Sequence, residues 1–417
     1  MSLIKVLRAI ALGAILVGVL LVQAVPVEAA GGPTVIAVHR NGAFDMSGQV
    51  TFGSVARMSV PAGNWLITAT STIQTTTSVS DVECQLVAGT EFYKSISIPT
   101  GGGVGSSQPM VLLLAHHFAK KGAVILKCKS NGWLGDVLVR DVHMTAVQVG
   151  QLTDTAGIFG TGAPAASYAQ DSSARGWTDS SNHDVQDLRL PAGTWLVQAV
   201  AWGGAGGDGD RIDCTLGWSS TTVDQFVGDF EGVQRAVYLE GVITLPSPGG
   251  VNVTCHDGQA LWYLYGSAIS AIQVGTLKYG PLGGSLTTTG SGSPTVIGGY
   301  NDSAGGVAAS QAMSSIASES LGTGSWFVTA KSSFLGAAPA NITCQTRLGT
   351  VSDQGRVIID AGNNMANWMA MSLTKAVSAT SNASLACGQS ASSGDVAYFH
   401  VRLFALKAGS LTDTDLD

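Results

Sequence analysis

A short stretch that occurs three times limits what this chain can become. It reads Met144-Thr145-Ala146-Val147-Gln148-Val149-Gly150-Gln151-Leu152, then Ile269-Ser270-Ala271-Ile272-Gln273-Val274-Gly275-Thr276-Leu277, then Leu403-Phe404-Ala405-Leu406-Lys407-Ala408-Gly409-Ser410-Leu411. Ala, Gly and Leu hold the same slots in each copy, and an apolar residue follows the Ala. Recurrence at a fixed period decides architecture before any local reading does. It predicts three copies of one domain, assigned to 33–152, 160–277 and 294–411.

Further markers keep the same period. Val60-Pro61-Ala62-Gly63-Asn64-Trp65, Leu190-Pro191-Ala192-Gly193-Thr194-Trp195 and Leu321-Gly322-Thr323-Gly324-Ser325-Trp326 each place a Gly-bearing turn before a Trp. Gly tolerates the positive φ that tight turns demand, and a large aromatic opening a strand anchors a core. Most apolar runs alternate with period two, and no stretch sustains a helical period. Each copy offers seven or eight strands in about 120 residues, the size of an antiparallel sandwich. The expected fold class is all-β, with three tandem antiparallel β-sandwich, jelly-roll-like domains. Segments 153–163 and 278–293 read as linkers, the second flexible from its Gly, Ser and Thr content. The acidic tail after Leu411 reads as frayed.

The six cysteines fall as one pair per copy: Cys84 and Cys128, Cys214 and Cys255, Cys344 and Cys387, separated by 44, 41 and 43 residues. An even count in an exported chain reads as disulfides, and the repeat selects pairing within each copy. The loop-entropy account gives each bond about 4 kcal/mol. No CxxC or CxxH spacing points to zinc.

Export is expected from the N-terminus. Lys5 and Arg8 precede an apolar run over 9–22, the layout of a secretory signal peptide covering 1–29. Cleavage after Ala29 places small or apolar Val27 and Ala29 at the recognition positions; cleavage after Ala24, or retention as an anchor, are the alternatives. No later segment is long and apolar enough to span a membrane. Charged residues make up only 12% of the chain, about half the usual share.

The Gly-x-Trp openers Gly63-Asn64-Trp65, Gly193-Thr194-Trp195 and Gly324-Ser325-Trp326, with the three apolar closing strands, resemble jelly-roll modules of the C1q and TNF-like kind. Similar Cys-paired tandem modules occur in secreted bacterial proteins of unknown role. The resemblance implies a trimer-forming sandwich, so three copies in one chain imply an intramolecular pseudo-trimer, with self-assembly as the alternative.

Chemistry is thin by comparison. Residues 151–277 carry thirteen acidic side chains against four basic ones, net −9, while the whole chain is −7. That balance disfavours nucleic-acid binding through a basic patch. Asp208, Asp210 and Asp213 form a weak candidate for Ca²⁺ on a Gly-rich segment, without the spacing of an EF-hand. No other cofactor is indicated. His116 and His117 are adjacent in a strand and face opposite ways. No Gly-x-Ser-x-Gly elbow, phosphate loop or dinucleotide fingerprint is present, although a Ser-His-Asp group could hide in a Ser-rich chain.

What repeats is core, turn and disulfide, not a catalytic set. The expectation is a secreted, non-catalytic binding, adhesion or structural module at the cell exterior, with a wall or cell-surface polysaccharide or a protein as ligand. The alternative is a secreted hydrolase-type enzyme with its site in the acidic second repeat.

Overall fold

The computed structural model describes residues 31–75, 81–97, 106–130, 137–205, 211–229, 234–257, 262–307, 312–336, 340–359, 365–390 and 396–417. The segment 1–29 expected as a signal peptide lies outside them. Gly32–Asp417 forms one compact unit of three β-sandwiches.

Each sandwich is an eight-stranded jelly roll. In the first, one sheet runs Thr34–Arg40, Val137–Val149, Gly63–Thr75, Ser106–Phe118; the other runs Gly53–Val60, Gly122–Ser130, Val82–Ala88, Glu91–Ser97. The second and third repeat the same two orders. The outer sheets alternate buried and half-buried residues, as in Gly122–Ser130. The inner sheets do not, because neighbouring sandwiches cover their second face. Val111, Leu112, Leu113, Leu114 and Ala115 are consecutive and all buried, the pattern of a strand covered on both sides.

Repeated residues have repeated jobs. Trp65, Trp195 and Trp326 are buried, and each indole N–H donates to the carbonyl four residues earlier, on Pro61 (3.2 Å), Pro191 (3.1 Å) and Gly322 (2.9 Å). The intervening turn places Gly63, Gly193 and Gly324 at φ of 139°, 142° and 137°. The cysteines pair as Cys84–Cys128, Cys214–Cys255 and Cys344–Cys387, each bond joining directly opposed residues of neighbouring strands in the outer sheet.

The segments expected as linkers are strands. Gln151–Asp154 leaves the first sandwich and pairs in parallel with Ala165–Asp171 of the second; Thr276–Pro281 does the same with Thr295–Asn301 of the third. Gly157–Phe159 and Thr287–Gly290 then add antiparallel edges. The tail is not frayed either: Ser410–Asp415 pairs in parallel with Thr34–Arg40 of the first sandwich. Three equivalent crossings therefore close the sandwiches into a ring. The repeated Gly begins each crossing. Gly150, Gly275 and Gly409 donate their N–H to the carbonyls of Pro164, Pro294 and Pro33, each at 2.9 Å. A Cβ on Gly150 would meet the Gly162 carbonyl carbon at 2.2 Å, and one on Gly275 would meet Gly292 at 2.6 Å.

Polar side chains meet where the three inner sheets converge. Thr68, Gln198 and Thr329 each stand three residues after the repeated Trp. Thr68 Oγ1 donates to Gln198 Oε1 (3.3 Å), and Gln198 Nε2 and Thr329 Oγ1 both donate to Glu240 Oε1, at 2.9 and 2.7 Å. Glu240 is wholly buried. Burial pushes its carboxyl up to about 7, against the hydrogen bonds that favour the charged form.

Two predictions follow from this architecture. Gly150→Ala should lower stability by about 2 kcal/mol or more through backbone overpacking, whereas Gly306→Ala, whose Cβ would meet nothing within 4 Å, should melt near the unaltered chain. For Glu240, the folded state keeps a proton that the unfolded chain loses above the ordinary value of 4.5. This group therefore costs stability as pH rises from there to about 7, on the order of 3 kcal/mol. Glu240→Gln should raise the melting temperature at neutral pH and flatten its fall between about pH 5 and about pH 8.

Candidate functional site

Three internal copies allow a direct comparison: what all share serves the fold, and what one copy holds alone is open to another role. The junctions between sandwiches show this. Tyr93, Asp224 and Asp353 are equivalent, each opposite the residue two beyond the first Cys of its copy. On the facing closing strands His143, Ala268 and Arg402 are equivalent, each three residues before the repeated Ala.

Two junctions use these positions for buried charge pairs. Between the second and third sandwiches, Asp224 meets Lys331 Nζ in a short contact, and its Oδ1 lies 3.3 Å from Arg402 Nε. Burial pulls the Lys331 ammonium down, and Asp224 opposes that shift. Between the third and first, His143 Nε2 lies 3.0 Å from Asp353 Oδ1. Burial works against protonation of His143, but Asp353, Asp413 and Asp141 outweigh it and its pKa rises.

The junction between the first and second sandwiches holds Tyr93 and Ala268 at these positions instead, and a cavity of about 230 Å³ opens there. Its walls come from Thr90 to Lys94 on one side and from Gln170, Asp171, Trp202, Tyr265 and Gly266 on the other. Trp202 is buried and stacks on Tyr265 with ring centres 5.0 Å apart; Tyr265 stacks on Tyr263 at 6.3 Å. Phe92 and Tyr263 are 48% and 39% exposed. The strand Trp262–Gln273 produces this row by alternation, sending Trp262 and Leu264 inward and Tyr263 and Tyr265 outward. A bulge helps: Trp202 faces Gly266 while Gly203 faces Leu264, so Tyr265 is the extra residue. Bulges re-aim side chains in this way. Gly266 makes room, since a Cβ there would lie 2.5 Å from the Trp202 indole nitrogen. The other copies bulge at the same height but carry Thr72 and Arg140, or Ser333 and Phe399, where Trp202 and Tyr265 stand.

The polar groups around the cleft are largely engaged. Glu91 Oε2 lies 2.7 Å from His116 Nδ1. Asp171 holds Arg175 in a short ion pair and accepts from the Ser173 N–H at 2.8 Å. These contacts, above all the Ser173 and Arg175 donors, overcome burial and hold the Asp171 carboxyl below the ordinary value. Gln170 Oε1 accepts from the Tyr168 hydroxyl at 2.7 Å. Lys94 Nζ lies 5.8 Å from the centre of the Trp202 ring, a cation–π distance.

Of the residues proposed for Ca²⁺, Asp208 and Asp210 lie outside the described residues. Asp213 sits on the outer strand Arg211–Trp218 with Oδ2 3.7 Å from His256 Nε2. Among the described residues no group of three or more His, Cys, Asp or Glu could hold a metal ion. His116 and His117 do face opposite ways: His117 Nδ1 lies 2.7 Å from Asn64 Oδ1, far from the Glu91 contact of His116.

Among the described residues Ser181, His183 and Asp179 form a Ser-His-Asp cluster at the surface. Ser181 Oγ lies 3.2 Å and Asp179 Oδ1 2.9 Å from the same His183 Nε2, and Ser181 Oγ donates to Asp179 at 2.5 Å. A relay needs the nucleophile on one ring nitrogen and the carboxylate on the other. Here both share one, so the imidazole has no free nitrogen between them to accept and pass the Ser proton.

The sequence reading did not find the cleft. Its residues come from four separated stretches, and the local signal is the outward pair Tyr263 and Tyr265 at the start of a strand that is otherwise buried up to Ile272. No protein-family model matches the sequence, and no curated protein is similar to it. Among solved structures, similarity reaches the Sulfolobus Turreted Icosahedral Virus structure (11% identity, 85% of this chain and 84% of that one, TM-score 0.20) and the infectious bursal disease virus VP2 subviral particle (9%, 88% and 82%, 0.22). It also reaches the CBM22-1–CBM22-2 tandem domain from Paenibacillus barcinonensis Xyn10C (9%, 56% and 93%, 0.17). At these TM-scores the similarities carry no argument about this chain. Among the described residues no helix is long and apolar enough to cross a membrane.

A serine-directed fluorophosphonate should leave Ser181 unmodified under conditions that fully label an ordinary serine hydrolase; stoichiometric labelling at Ser181 would show the cluster to be a working triad.

Proposed function

We propose that the chain is a secreted, non-catalytic binding module that holds a polysaccharide in the cleft between its first and second sandwiches. The observation that carries this reading is the aromatic row Trp202–Tyr265–Tyr263 with Phe92 opposite, lodged where the other two junctions hold ion pairs. Flat aromatic faces bury the apolar faces of sugar rings, and surrounding hydroxyl, amide and carboxylate groups meet their hydroxyls. Exposed Phe92 stands in the wall of the cleft, within reach of a chain passing across it. Supporting export are the disulfide in each repeat and the apolar run over 9–22 behind Lys5 and Arg8. The ring of three sandwiches supports a likeness to trimer-forming C1q and TNF-like modules, and we propose that this chain is a single-chain counterpart of such a trimer.

The test is binding of the chain from Ala30 onward to a panel of soluble and insoluble polysaccharides, by affinity electrophoresis and calorimetry. Tyr265→Ala should weaken binding about tenfold by removing the middle ring that holds the aromatic row together, while Phe399→Ala at the equivalent position of the third copy should leave binding unchanged. Equal losses for both, or release of reducing ends from any polymer, would reject the reading, the second outcome in favour of a hydrolase.

A further inference from the structure

We infer that the cleft takes an anionic polysaccharide, with Lys94 as the residue that reads its charge. This rests on the binding reading above and names the ligand class. Lys94 belongs to the strand Glu91–Ser97, where it faces Gln85 of the neighbouring strand. Gln225 faces Thr215, and Gln354 faces Gln345, at the same register in the other copies. The fold therefore asks only for a polar side chain here, and of the three only Lys94, which lines the cleft, is a cation.

The surroundings of Lys94 leave its charge available. The two carboxylates at the cleft, Glu91 and Asp171, are engaged by His116 and by Arg175 with the Ser173 N–H. Among the described residues Lys94 forms no ion pair; its ammonium contact is the Trp202 face. A cation–π contact at a partly exposed site is weaker than a charge-assisted hydrogen bond to a carboxylate or sulfate. An anionic group on a sugar held in the cleft would draw the ammonium from the Trp202 face without disturbing any ion pair. A neutral sugar offers it nothing stronger, and a cationic one meets like charge.

The test uses the chain from Ala30 onward with three oligosaccharide sets of matched length: galacturonates, sulfated galactans and neutral glucans. Expected is binding to one or both anionic sets at least tenfold tighter than to the neutral one, weakening steeply with salt. Lys94→Gln, which places there the residue its two counterparts carry, should erase that preference, and Lys94→Arg should keep it. Carboxylate and sulfate are told apart by which anionic set binds. Neutral and anionic sets binding equally, with Tyr265→Ala still destructive, would overturn the inference and leave the binding reading standing. Tight anionic binding unaffected by Lys94→Gln would also overturn it. No binding by any set would remove both.

Discussion

The structure depends on three backbone hydrogen bonds, from Gly150, Gly275 and Gly409 to the carbonyls of Pro164, Pro294 and Pro33. Each marks the point where the chain leaves one sandwich and joins the next sheet as a parallel strand. Parallel neighbours cannot be joined by a tight hairpin. Here the need disappears, because the paired strands come from successive copies or from opposite ends of the chain. Packing follows from that closure. It brings the second face of every inner sheet against a neighbour, which is why Val111 to Ala115 can be an unbroken apolar run.

Closure around a common centre leaves three similar junctions, and similarity is a hazard. Copies that could pair in any order would give several assemblies. The buried charges separate the junctions: Asp224 with Lys331 and Arg402 in one, Asp353 with His143 in another, and Tyr93 without a charged partner in the third. Removing one partner of a buried pair costs far more than the pair contributes, so a wrong pairing of sandwiches would strand a carboxylate in the core. The junction without such an ion pair is also the one that holds the cleft, with Tyr93 and Ala268 in place of the charged residues.

How much of this could be read from the sequence varies with the physics involved. The tripled core, the Trp turns and the cysteine pairs were legible because each is a local pattern repeated three times. The crossing strands were not. Thr287–Gly290 is exposed at every residue, and its place in a sheet rests on backbone bonds that any sequence could make, so its composition reads as linker. Ser410–Asp415 looked like tail for the same reason, with acidic side chains that are in fact met by His39 and Thr374. The cleft was hidden differently. Trp202 and Tyr265 sit in strands whose other positions follow the repeat, and their departure from it has meaning only once Lys94, from another copy, is placed beside them.

The last parallel strand has a consequence for how the protein is made. The first sandwich takes Ser410–Asp415 as its edge, so the first copy is completed by a strand that the chain reaches only after the third copy. The first and second copies can collapse as they emerge, but Thr34–Arg40 keeps an unpaired edge until the third copy has formed and its final strand arrives. Unpaired edges are sites of wrong association. Until the third copy has formed, that edge of the first sheet has no strand to cover it.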